Sequence, residues 1–235
     1  GLEKQYKILK YGRLVSTQSL ATGLARKMAV QDLVILAEMQ TAGRGRRGRR
    51  WHSEKGGLYL SMITRTPRTV FKNLIPLSVA VAIREALEDE FDVKAEIKWP
   101  NDILLNGRKV AGHLIDEVGR QLVLGVGINF TNRLDPALGG EATTLQAETG
   151  VWVDHQLFIK PLLESIERCI KSLERSPGEV RRRYLNVCTS LGKRAVVDIG
   201  GQSLQGFVSD IDEFGRLVLE TEDGELRICA GTLTR

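Results

Sequence analysis

No stretch of the 235-residue chain reaches the roughly 20 consecutive apolar residues that a membrane-spanning helix requires. The start also lacks the charged-then-apolar plan of a secretory signal, so neither membrane insertion nor export is expected. Cysteine is scarce. Cys169, Cys188 and Cys229 are odd in number and widely spaced, which excludes a disulfide framework and a cysteine-based zinc cluster. His52 and His155 have no partners at metal-ligand spacing, and neither an internal repeat nor a low-complexity linker is present. Together these absences place the chain in a reducing, cytoplasmic setting as an expectation.

What the chain does have is apolar content and local charge. At 42% hydrophobic residues it can bury one large domain and a small one. Its net charge is +5, and the segment QTAGRGRRGRRW at 40 to 51 alone carries five arginines; without them the excess vanishes. The basic character is therefore a property of one place. A net charge of this size attracts nucleic acid or phosphate ligands without identifying either.

Periodicity supplies the frame. Residues 17 to 29 read as a short helix, Leu33 to Glu38 as a strand leading into the arginine run, and Leu58 to Thr64 as another strand. Ile75, Val79, Ile83, Leu87 and Phe91 recur every four residues, with Arg84, Glu85, Glu88 and Asp89 on the other side; this predicts a helix with one stripe for the core and one for water. Short strands follow at 95 to 98, 103 to 105, 109 to 116 and 121 to 128, with Asn106-Gly107 as a hairpin turn. Two helices are expected within 154 to 175 and 177 to 188, the triplet Arg181-Arg182-Arg183 reading as a solvated face. From about Leu191 the texture becomes β-rich, with strands at roughly ten-residue spacing separated by glycine turns. The expected organisation is residues 1–190 as one α/β region and 191–235 as a small β-barrel.

Four stretches carry chemistry. A run of arginine and glycine is commonly a solvated loop or a nucleic-acid-binding arm, but this one lies between two strands, so both ends are anchored. Glycines there let backbone N–H groups approach an anion, and guanidiniums offer forked donors for phosphate or carboxylate. The segment reads as a cover for a negatively charged small ligand. KWPND at 98 to 102 joins a strand to a tight turn bearing a polar Asn101-Asp102 pair; alone it is equally a loop with a core tryptophan. KVAG at 109 to 112 opens a strand with a lysine that, taken alone, reads as a surface residue. GVGIN at 125 to 129 ends a strand in alternating glycines, where backbone can pass close to a flat ligand; it is no dinucleotide fingerprint, since the third glycine and the following helix are missing.

Taken in order, STQ at 16 to 18, Gln40, GRGRRGRRW at 43 to 51, KWPND, KVAG and GVGIN resemble the signature of the biotin protein ligases over nearly the whole chain. The resemblance implies an α+β fold: a mixed sheet with flanking helices, like that of class II synthetases, plus a small C-terminal SH3-like barrel. It also implies a two-step ligase using ATP and Mg²⁺, with biotin as substrate. Biotin's carboxylate would attack the α-phosphate to give biotinyl-AMP, and a lysine of a biotin carboxyl carrier domain would then displace AMP.

By the same resemblance, Ser16, Thr17, Gln18 and Gln40 match biotin-binding positions, joined by Arg44, Gly45 and Arg46 from the arginine run and by Lys109 and Gly112. Lys109 and Arg46 match catalytic positions. Arg47, Arg49, Trp51, Asn101, Asp102, Gly127 and Asn129 match the nucleotide's surroundings, with Trp51 covering the ligand once the loop closes and Asp102 orienting metal-bound water. Gly125 belongs to the pocket floor. Two departures stand out: Gln18 where asparagine is usual, and His113 where an aliphatic residue is usual.

Lipoate ligases share the framework but lack the full arginine run with KWPND. Some biotin ligases also carry an N-terminal helix-turn-helix and act as repressors. Here only fifteen residues precede Ser16, too few for such a module, so a short form without specific nucleic-acid or membrane partners is expected. A homodimer is compatible with the resemblance.

Overall fold

A computed structural model describes residues 5–234. In chain order the elements are β1 (Lys7–Leu14), α1 (Thr17–Lys27), β2 (Leu33–Arg44), β3 (Arg50–Ser53), β4 (Leu58–Arg65), α2 (Leu74–Phe91), β5 (Ala95–Lys98), β6 (Asp102–Leu105), β7 (Arg108–Val118) and β8 (Gln121–Ile128). They continue as α3 (Leu145–Thr149), α4 (Ile159–Arg175), α5 (Pro177–Leu185), β9 (Lys193–Ile199), β10 (Gln202–Ile211), β11 (Leu217–Thr221), β12 (Gly224–Ile228) and β13 (Thr232–Thr234). No described helix is long and apolar enough to cross a membrane. The chain divides into two compact units, Gly1–Thr66 with Leu105–Ile159, and Pro67–Leu104 with Lys160–Arg235.

In the first unit the strands run β1-β2-β4-β8-β7, with β3 folded back on β2. β1 pairs with β2 in parallel and every other pairing there is antiparallel, so the sheet is mixed. Residues alternate between faces along a strand, and α1 lies across β2, β4, β8 and β7 on one of them. Ala21 and Ala25 of α1 pack on Leu33, Ile35, Ile63 and Val123, with Leu9, Leu20 and Leu24 closing the edge. Two alanines one turn apart let the helix approach closely. The helix starts where Ser16, in extended conformation, accepts a hydrogen bond from the amide of Ser19. Asn106-Gly107, both in the left-handed region at φ 49° and 76°, make the tight turn into β7.

In the second unit α2 packs on α5 and β5. From Leu74 to Ile83, the first half of α2, every residue but Pro76 is buried, because Ser78 satisfies its hydroxyl on the Ile75 carbonyl and small alanines occupy positions on the other side. The expected division into one apolar and one watery stripe therefore fails over that half. It fails again at Arg84 and Glu85, which are half-buried in ion pairs with Glu88 and Arg183. In the arginine triplet Arg182 is exposed as expected, but Arg181 and Arg183 are half-buried and paired. Arg181 makes a two-pronged contact with Asp210 of β10 and Arg183 pairs with Glu85, since both sit beside the buried Val180 and Tyr184. The last strands form an antiparallel sheet in the order β12-β11-β10-β9-β13.

Five elements depart from the sequence reading: β1, β3, α3 and β13 have no counterpart in it, and β2 is longer than expected. β1 was not anticipated, because six of its eight residues are exposed and no apolar alternation marks it. β13 is only three residues long. β2 runs six residues beyond Glu38, so the first arginine of the run, Arg44, belongs to a strand and the remainder to a 3₁₀ turn at Arg46–Gly48 and to β3.

Gln121, at the start of β8, ties the end of α1 to the sheet: its side chain accepts from the Val30 amide at 2.6 Å and donates to the carbonyls of Ala25 and Met28. With Gln121 only 8% exposed, Gln121→Ala strands those groups. The expected loss is about 2–3 kcal/mol, read as a lowered denaturation midpoint at constant m-value.

Candidate functional site

The sheet face under α1 carries the site. Gly112 of β7 lies opposite Gly127 of β8, and Gly125 lies opposite Leu114 and Ser61. Adding a Cβ shows what each glycine makes room for. At Gly125 the atom would meet the Gln18 Oε1 at 2.5 Å, and at Gly127 the Trp51 indole at 2.5 Å. At Gly112 it would meet the Lys109 Cε and the Trp51 ring, both at 3.2 Å. The flat groups resting on these glycines are thus the protein's own indole and carboxamide. Lys109 sets its ammonium over the indole, 5.0 Å from the ring centroid. The indole N–H of Trp51 is buried with no hydrogen-bond partner among the described residues. Leaving such a donor unmet costs roughly 1–3 kcal/mol.

One wall is polar and closed on itself. Gln40 receives the Thr17 amide at 2.8 Å and the Thr17 hydroxyl at 3.2 Å on Oε1, and donates Nε2 to Ser53 Oγ at 2.9 Å. The Ser61 hydroxyl lies 2.9 Å from both Thr17 Oγ1 and Gln18 Oε1. Gln18 donates Nε2 to Asp116 at 3.0 Å and to the Val123 carbonyl at 2.9 Å. Its extra methylene, relative to asparagine, carries the carboxamide across Gly125 to those partners. Ser16, Thr17, Gln18 and Ser61 are all buried.

The other wall is the β2–β3 hairpin. Gly43 lies opposite Trp51 and Arg44 opposite Arg50. The turn is closed by the Gly45 amide on the Arg49 carbonyl at 2.8 Å, with Arg47 at φ 55° and Gly48 at φ 75°. Gly43 is buried because any side chain there would strike the Trp51 carbonyl and Ser53. Arg44, Arg47, Arg49 and Arg50 are exposed, and Arg46 and Gly45 half-buried. The result is a band of guanidiniums along the hairpin whose Trp51 lies under the Lys109 ammonium.

Lys109 itself is fastened. Its amide donates to the Glu141 carbonyl and its carbonyl accepts from Thr143, each at 2.9 Å, so the strand bearing it is braced by residues 141 to 143. Glu148 completes the brace, accepting from Asn106, Arg108 and Thr143. Asn129 is buried, and its Oδ1 accepts from Asn132, whose own Oδ1 receives the Phe130 amide. His113 is buried in β7 opposite Val126.

Ser16, Thr17, Gln18, Gln40, Arg44, Gly45, Arg46, Arg47, Arg49, Trp51, Lys109, Gly112, Gly127 and Asn129 therefore all belong to the first unit. Asn101 and Asp102 belong to the second, where Asn101 is buried, Asp102 half-buried, and the Trp99–Pro100 peptide before them is cis. Trp99 is core there, its amide donating to Ser190 Oγ at 3.0 Å. Among the described residues no group of three His, Cys, Asp or Glu could hold a metal. Ser61 and Asp116 escaped the sequence reading. The two-residue repeat could have found both, since Asp116 shares a face with Gly112, and Ser61 pairs with Gly125.

Comparison with known proteins shows what the chain is similar to. Residues 11–130 match the model of the biotin/lipoate A/B protein ligase family. The chain belongs to that family. Residues 190–232 match the biotin protein ligase C-terminal domain. Among relatives, the biotin–[acetyl-CoA-carboxylase] ligase of Mycobacterium tuberculosis is 31% identical over 86% of this chain and 78% of that protein. The bifunctional ligase/repressor BirA of Bacillus subtilis is 31% identical over 92% of this chain and 70% of that protein. The Aquifex aeolicus biotin protein ligase, solved in complex with biotin and ATP, superposes with a TM-score of 0.83 at 27% identity, covering 97% of each chain. The fold is that of this ligase family: a mixed sheet with flanking helices and a separate C-terminal β sheet.

The brace makes a pH prediction. Burial pushes the Glu148 carboxyl up, but hydrogen bonds from Thr143 and Asn106 and the Arg108 charge outweigh it and hold the group below its ordinary value. A depressed carboxyl stabilises the fold above its unfolded pKa of about 4.3 and loses that contribution as pH falls through the folded value. Glu148→Gln should therefore lower the melting temperature at pH 7 and leave it less sensitive to acidification below about pH 4, measured by calorimetry across pH.

Proposed function

We propose that this ligase condenses biotin with ATP to biotinyl-5'-AMP and then transfers biotin to a lysine of a biotin carboxyl carrier domain. The observation that carries the reading is Lys109 held beside the Trp51 indole, on the glycine floor and between the polar wall and the arginine hairpin. In the first step a carboxylate oxygen bonds to the α-phosphorus and the bond to pyrophosphate breaks. Two anions must meet, so a fixed cation at the point of encounter lowers the barrier. Lys109 is that cation and Arg46 supports it. In the second step the carrier amine attacks the acyl carbon, AMP leaves, and an amide remains.

The polar wall suits a ureido ring, which offers one carbonyl and two N–H groups to Ser16, Thr17 and Gln40. The buried indole and its N–H suit the apolar remainder and the carboxyl end. Asn129 offers its amide to the nucleotide, with Arg47 and Arg49 near its phosphates. Mg²⁺ favours one or two carboxylates together with substrate phosphates. By the family resemblance, Asp102, beside Asn101, would act on such a cation indirectly, by orienting metal-bound water. The mixed anhydride is destroyed by water, so a hairpin that covers it preserves it for the carrier. The catalytic part is residues 1–190 and the small β domain 191–235. No sequence-specific DNA binding is assigned to these residues. The free Cys169, Cys188 and Cys229 suit a reducing compartment.

The deciding experiment supplies ATP, Mg²⁺ and a carrier domain with either biotin or lipoate and reads the label by mass spectrometry. Biotin should be transferred, and transfer from lipoate alone would overturn the proposal. Lys109→Ala should cut adenylate formation by about 10² or more with an unchanged circular-dichroism spectrum; near-normal turnover would remove the lysine from its role. Arg46→Gly should accelerate escape of biotinyl-AMP by about tenfold or more in a pulse-chase filtration assay.

A further inference from the structure

Asp116 is used by nothing in the proposed chemistry, yet it joins all three parts of the pocket. It stands in β7 four residues after Gly112, on the same face. Its Oδ2 accepts from Gln18 Nε2 at 3.0 Å, Thr22 Oγ1 at 3.1 Å and Arg44 Nη1 at 3.2 Å. We infer that Asp116 is a positioning residue: it tethers the arginine hairpin, through Arg44, to the α1 wall that Gln18 completes, and so holds the biotin pocket closed. The inference rests on the ligase reading for its kinetic consequence, but the tether itself does not.

Charge and geometry support the assignment. The Arg44 side chain is 43% exposed and that of Asp116 25%, and a solitary pair so exposed contributes little, because two mobile side chains must be fixed at once. Here the carboxylate is already fixed by Gln18 and Thr22, so only Arg44 loses freedom on pairing. The second N–H of Gln18 is fixed by the Val123 carbonyl and its Oε1 by Ser61, so the carboxamide cannot rotate away. Three donors converging on one oxygen call for a full negative charge. The glutamine at position 18, where the resembling family has asparagine, is what gives the amide the reach to cross Gly125 to Asp116. The departure and the tether are one device.

A mere structural strut would lower overall stability without singling out the hairpin. Hydrogen exchange of the ligand-free full chain separates the two. In Asp116→Asn, and equally in Arg44→Gln, amides of residues 43–50 should exchange about tenfold faster while those of β10 and β11 keep wild-type rates. The double variant should be no faster than either single one. In biotin-dependent pyrophosphate exchange, Asp116→Asn should raise the KM for biotin about tenfold while kcat falls less than threefold, the KM for ATP being unmoved. Unchanged hairpin exchange in both variants, additive effects in the double, or acceleration spread evenly over the chain would each overturn the tether. Arg44→Gln carries the test if Asp116→Asn does not fold. A wild-type chain without biotin-dependent pyrophosphate exchange would sink the ligase reading, while the exchange pattern of the ligand-free variants still decides the role of Asp116.

Discussion

Everything in the pocket depends on a buried polar seam between a helix and a sheet. Ser16, Thr17 and Gln18 begin α1 where the helix meets Ser61, Gln40 and Asp116, and all of them lie out of or partly out of water. Such groups are tolerable only when each donor finds an acceptor, because a single unmet one costs as much as the seam gains from several bonds. The bonds from Thr17 to Gln40, from Ser61 to Thr17 and Gln18, and from Gln18 to Asp116 and Val123 fix the helix in rotation and along its axis. Alanine packing at Ala21 and Ala25 sets its distance from the sheet. The seam sets its register, and the register puts the start of the helix at the mouth of the site.

From that fixed wall the other parts take their places by sheet geometry. β2 carries Gln40 into the wall and four residues later becomes the first arm of the arginine hairpin, so wall and hairpin are one continuous strand. β7 carries Lys109, Gly112 and Asp116 in succession. The alternation that makes a sheet two-faced puts Gly112 and Asp116, four residues apart, on one face; Lys109, three residues before Gly112, reaches that place only with the far end of its long side chain. The brace from residues 141 to 143 holds the Lys109 backbone.

Much of this was readable from residue order. The first half of β2, the strands β4, β7 and β8, the turn at Asn106-Gly107, the two helices α4 and α5 and most of the C-terminal strands follow from apolar period and glycine punctuation. The family followed from the ordered motifs. β1 was hidden because its outer edge faces water and carries lysine and arginine, the composition of a protected edge strand rather than of a core one. The even burial of the first half of α2 was hidden because alanine and serine are silent in a hydrophobic stripe. Arg181 and Arg183 read as solvated because their carboxylate partners, Asp210 and Glu85, are far away in sequence. In the site, the motifs identified the glycines but not their occupants. A glycine announces that something comes close, and only the three-dimensional arrangement says that the visitors are Trp51 and Gln18. The two-residue repeat could place Asp116 on the face of Gly112, but not name its three donors, which come from two other elements.

The indole of Trp51 and the glycines at 112 and 127 also have a consequence for how such a chain can drift over generations. Ring and floor are mutually exclusive volumes, so neither can change alone. A methyl group at Gly127 evicts the ring and one at Gly112 presses on it, and a smaller residue in place of the ring leaves a hollow over bare backbone and takes the aromatic face away from Lys109. Viable descendants must therefore inherit the three positions together or exchange them in concert. Genetic reversion screens starting from an alanine at position 127 should return compensating changes at position 51 before they return any at the lysine.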